Sequence, residues 1–296
     1  MDEIKRQAIE LYDRFTHADP ENAMDRRDFF AQMTRIAGGA AAANLLIGSI
    51  GASPAAAALT SPTDKRLRTT TSGLLGNNGH ALYTAYIAEP RARRARRQTV
   101  IVIHENRGLN EHIRDVTRRL ALAGFYAIAP DMLSPSGGTP AIEDAARDAI
   151  ANLDLGTATA AGVAMVDLLA ARKGGTSKAG IVGFCWGGAF VNRVAVAAPA
   201  GLGGGVAYYG TAPNPAEAIK VQAPLLLQYA ALDTRVAATG HPWAAALSAA
   251  GKPVTAYNYP GVDHAFNNDT SKERFNQEAA DLAWSHTLNF LRANLG

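Results

Sequence analysis

The chain has 296 residues, 48% of them hydrophobic and 19% charged, which supplies apolar material for a sizeable core and lies far from the composition of a disordered polypeptide. The formal charge of +3 is too small to mark a nucleic-acid-binding surface, and the densest basic run, 91–97, carries no interleaved aromatic residues. The one cysteine, Cys185, excludes an intramolecular disulfide and any multi-cysteine zinc or iron–sulfur framework, so its thiol needs another explanation.

Residues 1–23 show a helical period at Ile4, Ala8, Leu11 and Tyr12, which predicts a short amphipathic lead segment. Next, Met24-Asp25-Arg26-Arg27-Asp28-Phe29-Phe30 runs into an Ala/Gly-rich stretch, 36–63, without a charge. The paired Arg26 and Arg27, Phe29, the weakly apolar run 38–50 and the small residues 55–58 after Pro54 resemble a bacterial twin-arginine export signal. Cleavage is expected near Ala57 or Ala58, making 1–58 a lead segment and signal and 59–296 the working domain. An uncleaved membrane anchor is the rival reading, because the uncharged stretch exceeds the roughly 20 residues that cross a bilayer, although alanine and glycine make a poor span. An ordinary helix is the third. The expected setting is the periplasm or the exterior, with the twin-arginine machinery as the partner during export.

From about residue 64 onward, short β-branched or aromatic runs alternate with longer helical patterns, which predicts one α/β domain with a mostly parallel central sheet flanked by helices. The strand-like runs are 81–88, 99–104, 126–129, 180–184, 204–209, 224–229 and 253–259. Helical patterns cover 110–123, 140–171 (one or two helices), 187–197 and 273–294. Between the first two strand runs, Arg91, Arg93, Arg94, Arg96 and Arg97 read as a solvated hairpin turn rather than a phosphate-binding patch.

The most informative stretch is Gly180-Ile181-Val182-Gly183-Phe184-Cys185-Trp186-Gly187-Gly188, an apolar strand entering a small-residue turn and then a helix. This has the form of a nucleophile elbow, with Cys185 where G-x-S-x-G carries serine. A buried structural thiol is the bland alternative, and the strand–glycine–glycine setting weighs against it. A nucleophile needs a base, and the base an orienter; in α/β-hydrolases the order along the chain is nucleophile, acid, histidine. Asp233 follows the apolar run 224–229, and His264 follows the last strand. Of the other histidines, His17 belongs to the lead segment, while His80, His112, His241 and His286 read as surface residues. Asp263 is a rival carboxylate, but its adjacency to His264 suits a turn better than a triad. His104-Glu105-Asn106-Arg107-Gly108-Leu109 ends the strand before the first large helix, and in this fold that loop donates one oxyanion-hole N–H. The hole is therefore assigned to the backbone N–H groups of Trp186 and Asn106. His104, Glu105, Glu111 and His112 lack the H-E-x-x-H spacing, so no metal is expected, and acyl transfer requires no cofactor.

With Glu105, Cys185, Asp233 and His264 in this order, the chain resembles the dienelactone hydrolase family over residues 64–296. The elbow 183–188, Asp233, His264 in a Gly-x-x-His-x-Phe setting, and the strand-end Ala129-Pro130-Asp131 carry the resemblance. It implies hydrolysis of a small lactone or ester through a Cys-His-Asp triad and an acyl thioester, with Glu105 assisting thiolate formation and Asp131 structural. Two arginines that bind the family substrate's carboxylate are replaced here by Pro135 and Asn268, so the substrate is either neutral or held by Arg107 or Arg235, with Phe266 beside it. A general carboxylesterase, thioesterase or peptidase of the same fold, and a non-catalytic exported binding protein, are the alternatives. The sequence leaves the oligomeric state open.

Overall fold

A computed structural model describes residues 3–17, 24–50, 59–75 and 82–296; the expected cleavage positions Ala57 and Ala58, and His80, lie outside them. The chain divides into two units, the first joining the N-terminal helices to residues 268–275 and the second holding the remainder.

The first unit contains α1 (Glu3–His17), α2 (Arg26–Ala37) and α3 (Ala40–Ile50). Asp25 starts α2 by accepting the Asp28 N–H at 2.8 Å, and Gly38 ends it in the left-handed conformation at φ 76°. Arg26 and Arg27 lie exposed on the first turn, whereas Phe29 and Met33 turn inward against Ala8, Ile9, Leu11, Ala43 and Ile50. Ile4, expected on the apolar stripe of α1, is exposed. The 268–275 segment closes this unit. Buried Arg274 pairs with Asp13 at 2.7 Å and lies over the Tyr12 ring, and the Ser271 hydroxyl donates to the Ile50 carbonyl at 2.6 Å. Among the described residues no single helix is long and apolar enough to cross a membrane; α3 is apolar but has 11 residues.

In the second unit, β1 (Leu67–Leu75), β2 (Leu82–Pro90), β3 (Thr99–Ile103), β4 (Tyr126–Pro130), β5 (Ala179–Phe184), β6 (Leu202–Tyr208), β7 (Leu225–Ala230) and β8 (Val254–Tyr259) form one sheet in the order β1-β2-β4-β3-β5-β6-β7-β8. β2 runs antiparallel to both neighbours, and the remaining pairs are parallel. β3, β5, β6 and β7 are buried at every position, which is why they read as continuous apolar or glycine runs rather than alternating ones. On one face α4 (Glu111–Leu122) and α9 (Gln277–Asn294) bury Ile113, Val116, Leu120, Ala283 and Leu291. On the other, α6 (Leu155–Ala170), α7 (Trp186–Ala197) and α8 (Thr234–Ala249) bury Met165, Phe190, Val194, Trp243 and Leu247. The helical stretch 140–171 is two helices, α5 (Glu143–Ala151) and α6, separated where Asp154 accepts the Thr157 N–H and so starts the second.

Several expectations require correction. The arginine run is not a hairpin turn, because β2 and β3 are not neighbours; it is a crossover between β2 and β3. Arg91 and Arg96 fasten this crossover by donating to the carbonyls of Leu67 and Gly175, at 2.9 and 3.1 Å. His112 is buried, edge-on to Phe184 at 6.2 Å, and His286 is half-buried with its Nδ1 2.8 Å from the Tyr259 hydroxyl, so neither is a plain surface residue.

Candidate active site

Glu105, Cys185, Asp233 and His264 follow the C-terminal ends of β3, β5, β7 and β8. The chain winds outward from β3 in both directions, to β4 on one side and β5 on the other, and the crevice above such a reversal is where open parallel sheets hold ligands.

The elbow is built by backbone against backbone. Cys185 sits at φ 55°, ψ −115°, a conformation that costs on the order of 1–3 kcal/mol and must be imposed by its surroundings. Its N–H donates to the Tyr208 carbonyl at 3.0 Å. A Cβ at position 183 would stand 2.1 Å from the Gly187 carbonyl oxygen, and one at 187 would stand 2.5 Å from that of Ile103, so only glycine fits at either. Cys185 precedes the first residue of α7, which directs that helix's unpaired N–H groups and positive end toward the sulfur. The Trp186 ring lies between His104 and Phe190, 5.6 and 5.2 Å away.

Asp233 caps α8 with Oδ1, which accepts the Val236 N–H at 3.0 Å, and pairs through Oδ2 with His264 Nδ1 at 2.6 Å. Both side chains are buried. Burial alone would lower the His264 pKa, but the charges of Cys185 and Asp233 and hydrogen bonds to both outweigh it and push it up to about 10. Asp233 is held below the usual carboxylate range: burial opposes this, and the His264 charge, the His264 hydrogen bond, Arg235 and the Val236 N–H prevail. Asp263 instead accepts the backbone N–H of His264 at 2.7 Å, shaping the turn. Arg235 brings Nη2 to 3.4 Å from His264 Nδ1, and its buried Nε has no hydrogen-bond partner among the described residues.

Glu105 is buried, and the Tyr209 hydroxyl donates to its Oε1 at 3.4 Å. Tyr209 was not legible as a site residue. It follows β6 directly at φ 36°, its ring is 5.0 Å from that of His264, and burial with the charges of Glu105 and Cys185 raises its phenol well above the ordinary value. Arg107 is committed to an ion pair with Glu143. Burial lifts the Glu143 carboxyl against the pull of Arg107, and the charge of Glu105 adds to the rise. Asn106 lies in the same loop, half-exposed. Asp131 accepts the Leu133 N–H, the Thr139 N–H and the Thr139 hydroxyl, and Thr139 accepts the Leu109 N–H, so Asp131 braces the 104–110 loop. Phe266 is fully buried, its ring 5.5 Å from Tyr209 and 5.1 Å from Tyr259.

A mostly parallel sheet covered by helices on both faces, with a strand–elbow–helix at its centre and an acid and a histidine beyond later strands, defines an α/β-hydrolase. Residues 83–295 match the model of the dienelactone hydrolase family, and the chain belongs to that family. It is similar to a provisionally assigned carboxymethylenebutenolidase of Yersinia pestis, 33% identical over 223 residues that span 70% of this chain and 82% of the relative. A provisionally assigned relative from Methylorubrum extorquens is 30% identical over 217 residues, 66% of this chain and 71% of its own. Among solved structures, a provisionally assigned dienelactone hydrolase of Klebsiella pneumoniae superposes with a TM-score of 0.68 at 29% identity, covering 76% of this chain and 98% of its own. The protein is a carboxylic ester hydrolase of dienelactone hydrolase type.

Proposed function

We propose that the protein hydrolyses a small carboxylic ester or lactone by acyl transfer to Cys185, with His264 as acid and base and Asp233 as its orienter. The carrying observation is the strained elbow at Cys185 together with the buried His264–Asp233 pair, whose imidazolium is favoured by charge from both sides. The Cys185 thiolate attacks the carbonyl carbon, and the π electrons move to the oxygen, where the N–H groups of Trp186 and Asn106 stabilise the oxyanion. Collapse breaks the C–O bond, and the His264 imidazolium gives its proton to the departing alkoxide; in a lactone that hydroxyl stays tethered to the acyl group. Neutral His264 then takes a proton from water, which attacks the thioester, and the carboxylic acid and the Cys185 thiolate separate. Asp233 keeps the proton of neutral His264 on Nδ1, leaving Nε2 for the chemistry. Glu105, restrained by Tyr209, assists thiolate formation. Arg107 is paired with Glu143, Arg235 stands 3.4 Å from the His264 Nδ1 that Asp233 holds, and a neutral substrate suits the site.

The test is turnover of p-nitrophenyl acetate and of a dienelactone by the full chain beside Cys185→Ala, with mass spectrometry of quenched enzyme. Loss of turnover in the variant and an acyl adduct on Cys185 in the parent are expected. A Cys185→Ala enzyme with parental kcat refutes the acyl-thioester reading, and inactivity of the parent on both substrates favours a binding role. Arg26 and Arg27 are further read as an export address; cell fractionation of the full chain beside an Arg26→Lys, Arg27→Lys variant tests it, and an unchanged distribution overturns it.

A further inference from the structure

We propose that His104 is a positioning residue of the oxyanion hole, locking the Glu105–Asn106 peptide so that its N–H, and not its carbonyl, faces the reacting oxygen. The inference rests on the acyl-transfer reading above. His104 is fully buried, with Nδ1 2.7 Å from the Glu105 carbonyl oxygen and Nε2 3.1 Å from the Met132 nitrogen. A backbone N–H can only donate, so Nε2 is the acceptor and Nδ1 carries the proton that the Glu105 carbonyl accepts. Burial, the largest influence, holds the imidazole below its ordinary pKa and keeps this tautomer uncharged.

The Glu105 carbonyl also accepts the Gly108 N–H at 3.3 Å, so both its lone pairs are engaged. The chain has no cis peptide among its described residues, and in a planar trans peptide the C=O and N–H point in opposite directions. Fixing the Glu105 carbonyl therefore fixes the Asn106 N–H. Two contacts tie this lock to the elbow. The His104 ring stacks on Trp186, the other expected donor, at 5.6 Å and 15°, and the α-carbon of Gly187 packs so closely on the strand end that a Cβ there would stand 2.6 Å from the His104 carbonyl oxygen. Without the imidazole, the Glu105 carbonyl loses the shorter of its two hydrogen bonds and keeps the 3.3 Å one from Gly108, and rotation would turn its dipole toward the oxyanion.

Two rates separate this role from a structural one. Ester acylation develops an oxyanion, whereas alkylation of Cys185 by iodoacetamide displaces iodide at a saturated carbon and develops none. His104→Leu is expected to lower kcat/KM for p-nitrophenyl acetate about 10²–10³-fold, the loss of one oxyanion donor, while the alkylation rate stays within about threefold. His104→Asn, which can still donate to the Glu105 carbonyl, is expected to recover at least roughly tenfold of that loss. Equal loss of both rates, or no loss in acylation, overturns the proposal. If the leucine variant does not fold, His104→Phe, which keeps a ring against Trp186 but cannot donate to the Glu105 carbonyl, takes its place: a selective acylation defect supports the lock, and parallel defects or parental rates overturn it. A fully active Cys185→Ala would bring down the acyl-transfer reading and this inference with it; an inactive Cys185→Ala beside an unimpaired His104→Leu brings down the inference alone.

Discussion

Replacing Asp233 separates helix capping from chemistry, because its two oxygens serve different partners. Asparagine is as good an N-cap as aspartate, so Asp233→Asn keeps the 3.0 Å bond to the Val236 N–H and loses only charge at the start of α8, about 0.3–1 kcal/mol. The cost appears in catalysis. An amide facing His264 no longer enforces the proton on Nδ1, and holding a triad imidazole in the wrong tautomer lowers kcat about 10⁴-fold. Asp233→Ala removes the cap, about 1 kcal/mol, and leaves the buried Nδ1–H without its 2.6 Å acceptor, about 1–3 kcal/mol more. Together these lower the thermal midpoint by roughly 4–16 °C for a domain of this size. The assay pairs kcat for p-nitrophenyl acetate with melting followed by circular dichroism. Two results would refute the reasoning: an asparagine variant within tenfold of parental kcat, or one that melts as early as the alanine variant.

Other consequences are as specific. The upper limb of kcat/KM should lie near pH 10, because His264 keeps the proton needed by the leaving alkoxide up to that value; the imidazolium population falls as pH rises through it, and a limb near pH 6.5 would contradict the charge arrangement around the ring. Gly187→Ala forces a Cβ to within 2.5 Å of the Ile103 carbonyl oxygen, and should cost more than about 3 kcal/mol by urea denaturation; a parental midpoint would show the elbow to be looser than described. Tyr209→Phe removes the hydroxyl donated to Glu105, and slower iodoacetamide modification of Cys185 with an unchanged melting point is expected. Asp13→Ala removes the carboxylate that pairs with buried Arg274 at 2.7 Å, and a loss of about 1–3 kcal/mol from the first unit is expected, seen as protease cleavage within 268–275.

Much of this architecture was legible because parallel strands covered on both faces stand out as short apolar runs, and the elbow and Asp233 each follow one, whereas His264 follows the mostly exposed edge strand β8. β1 escaped notice because Leu67-Arg68-Thr69-Thr70-Thr71-Ser72-Gly73-Leu74-Leu75 lies at the sheet edge, where only Leu67 and Leu74 are buried. α8 was hidden by Pro242 inside a run of alanines with weak periodicity. The mistaken hairpin at 91–97 has a topological cause: adjacency along the chain does not reveal that β4 is inserted between β2 and β3. Tyr209 and His104 reach the site through a strained strand end and a main-chain carbonyl, and neither carries a spacing signature. The joining of 268–275 to the N-terminal helices rests on side-chain pairs more than 200 residues apart, beyond any local pattern.

The close approach of main chains around the elbow makes the sole thiol a timekeeper of assembly. The geometry at Cys185 exists only when β3, β5 and β6 lie side by side, since Gly187 must meet the end of β3 while the Cys185 N–H meets the end of β6. The contact with β3 joins segments about 80 residues apart and the one with β6 about 20, so the elbow is completed late, after the longer loop has closed. In the unfolded chain the sulfur is an ordinary solvated thiol; in the native enzyme it is buried at the head of a helix. A pulse of alkylating reagent during refolding would thus record when the central sheet closes, with no probe added to the protein.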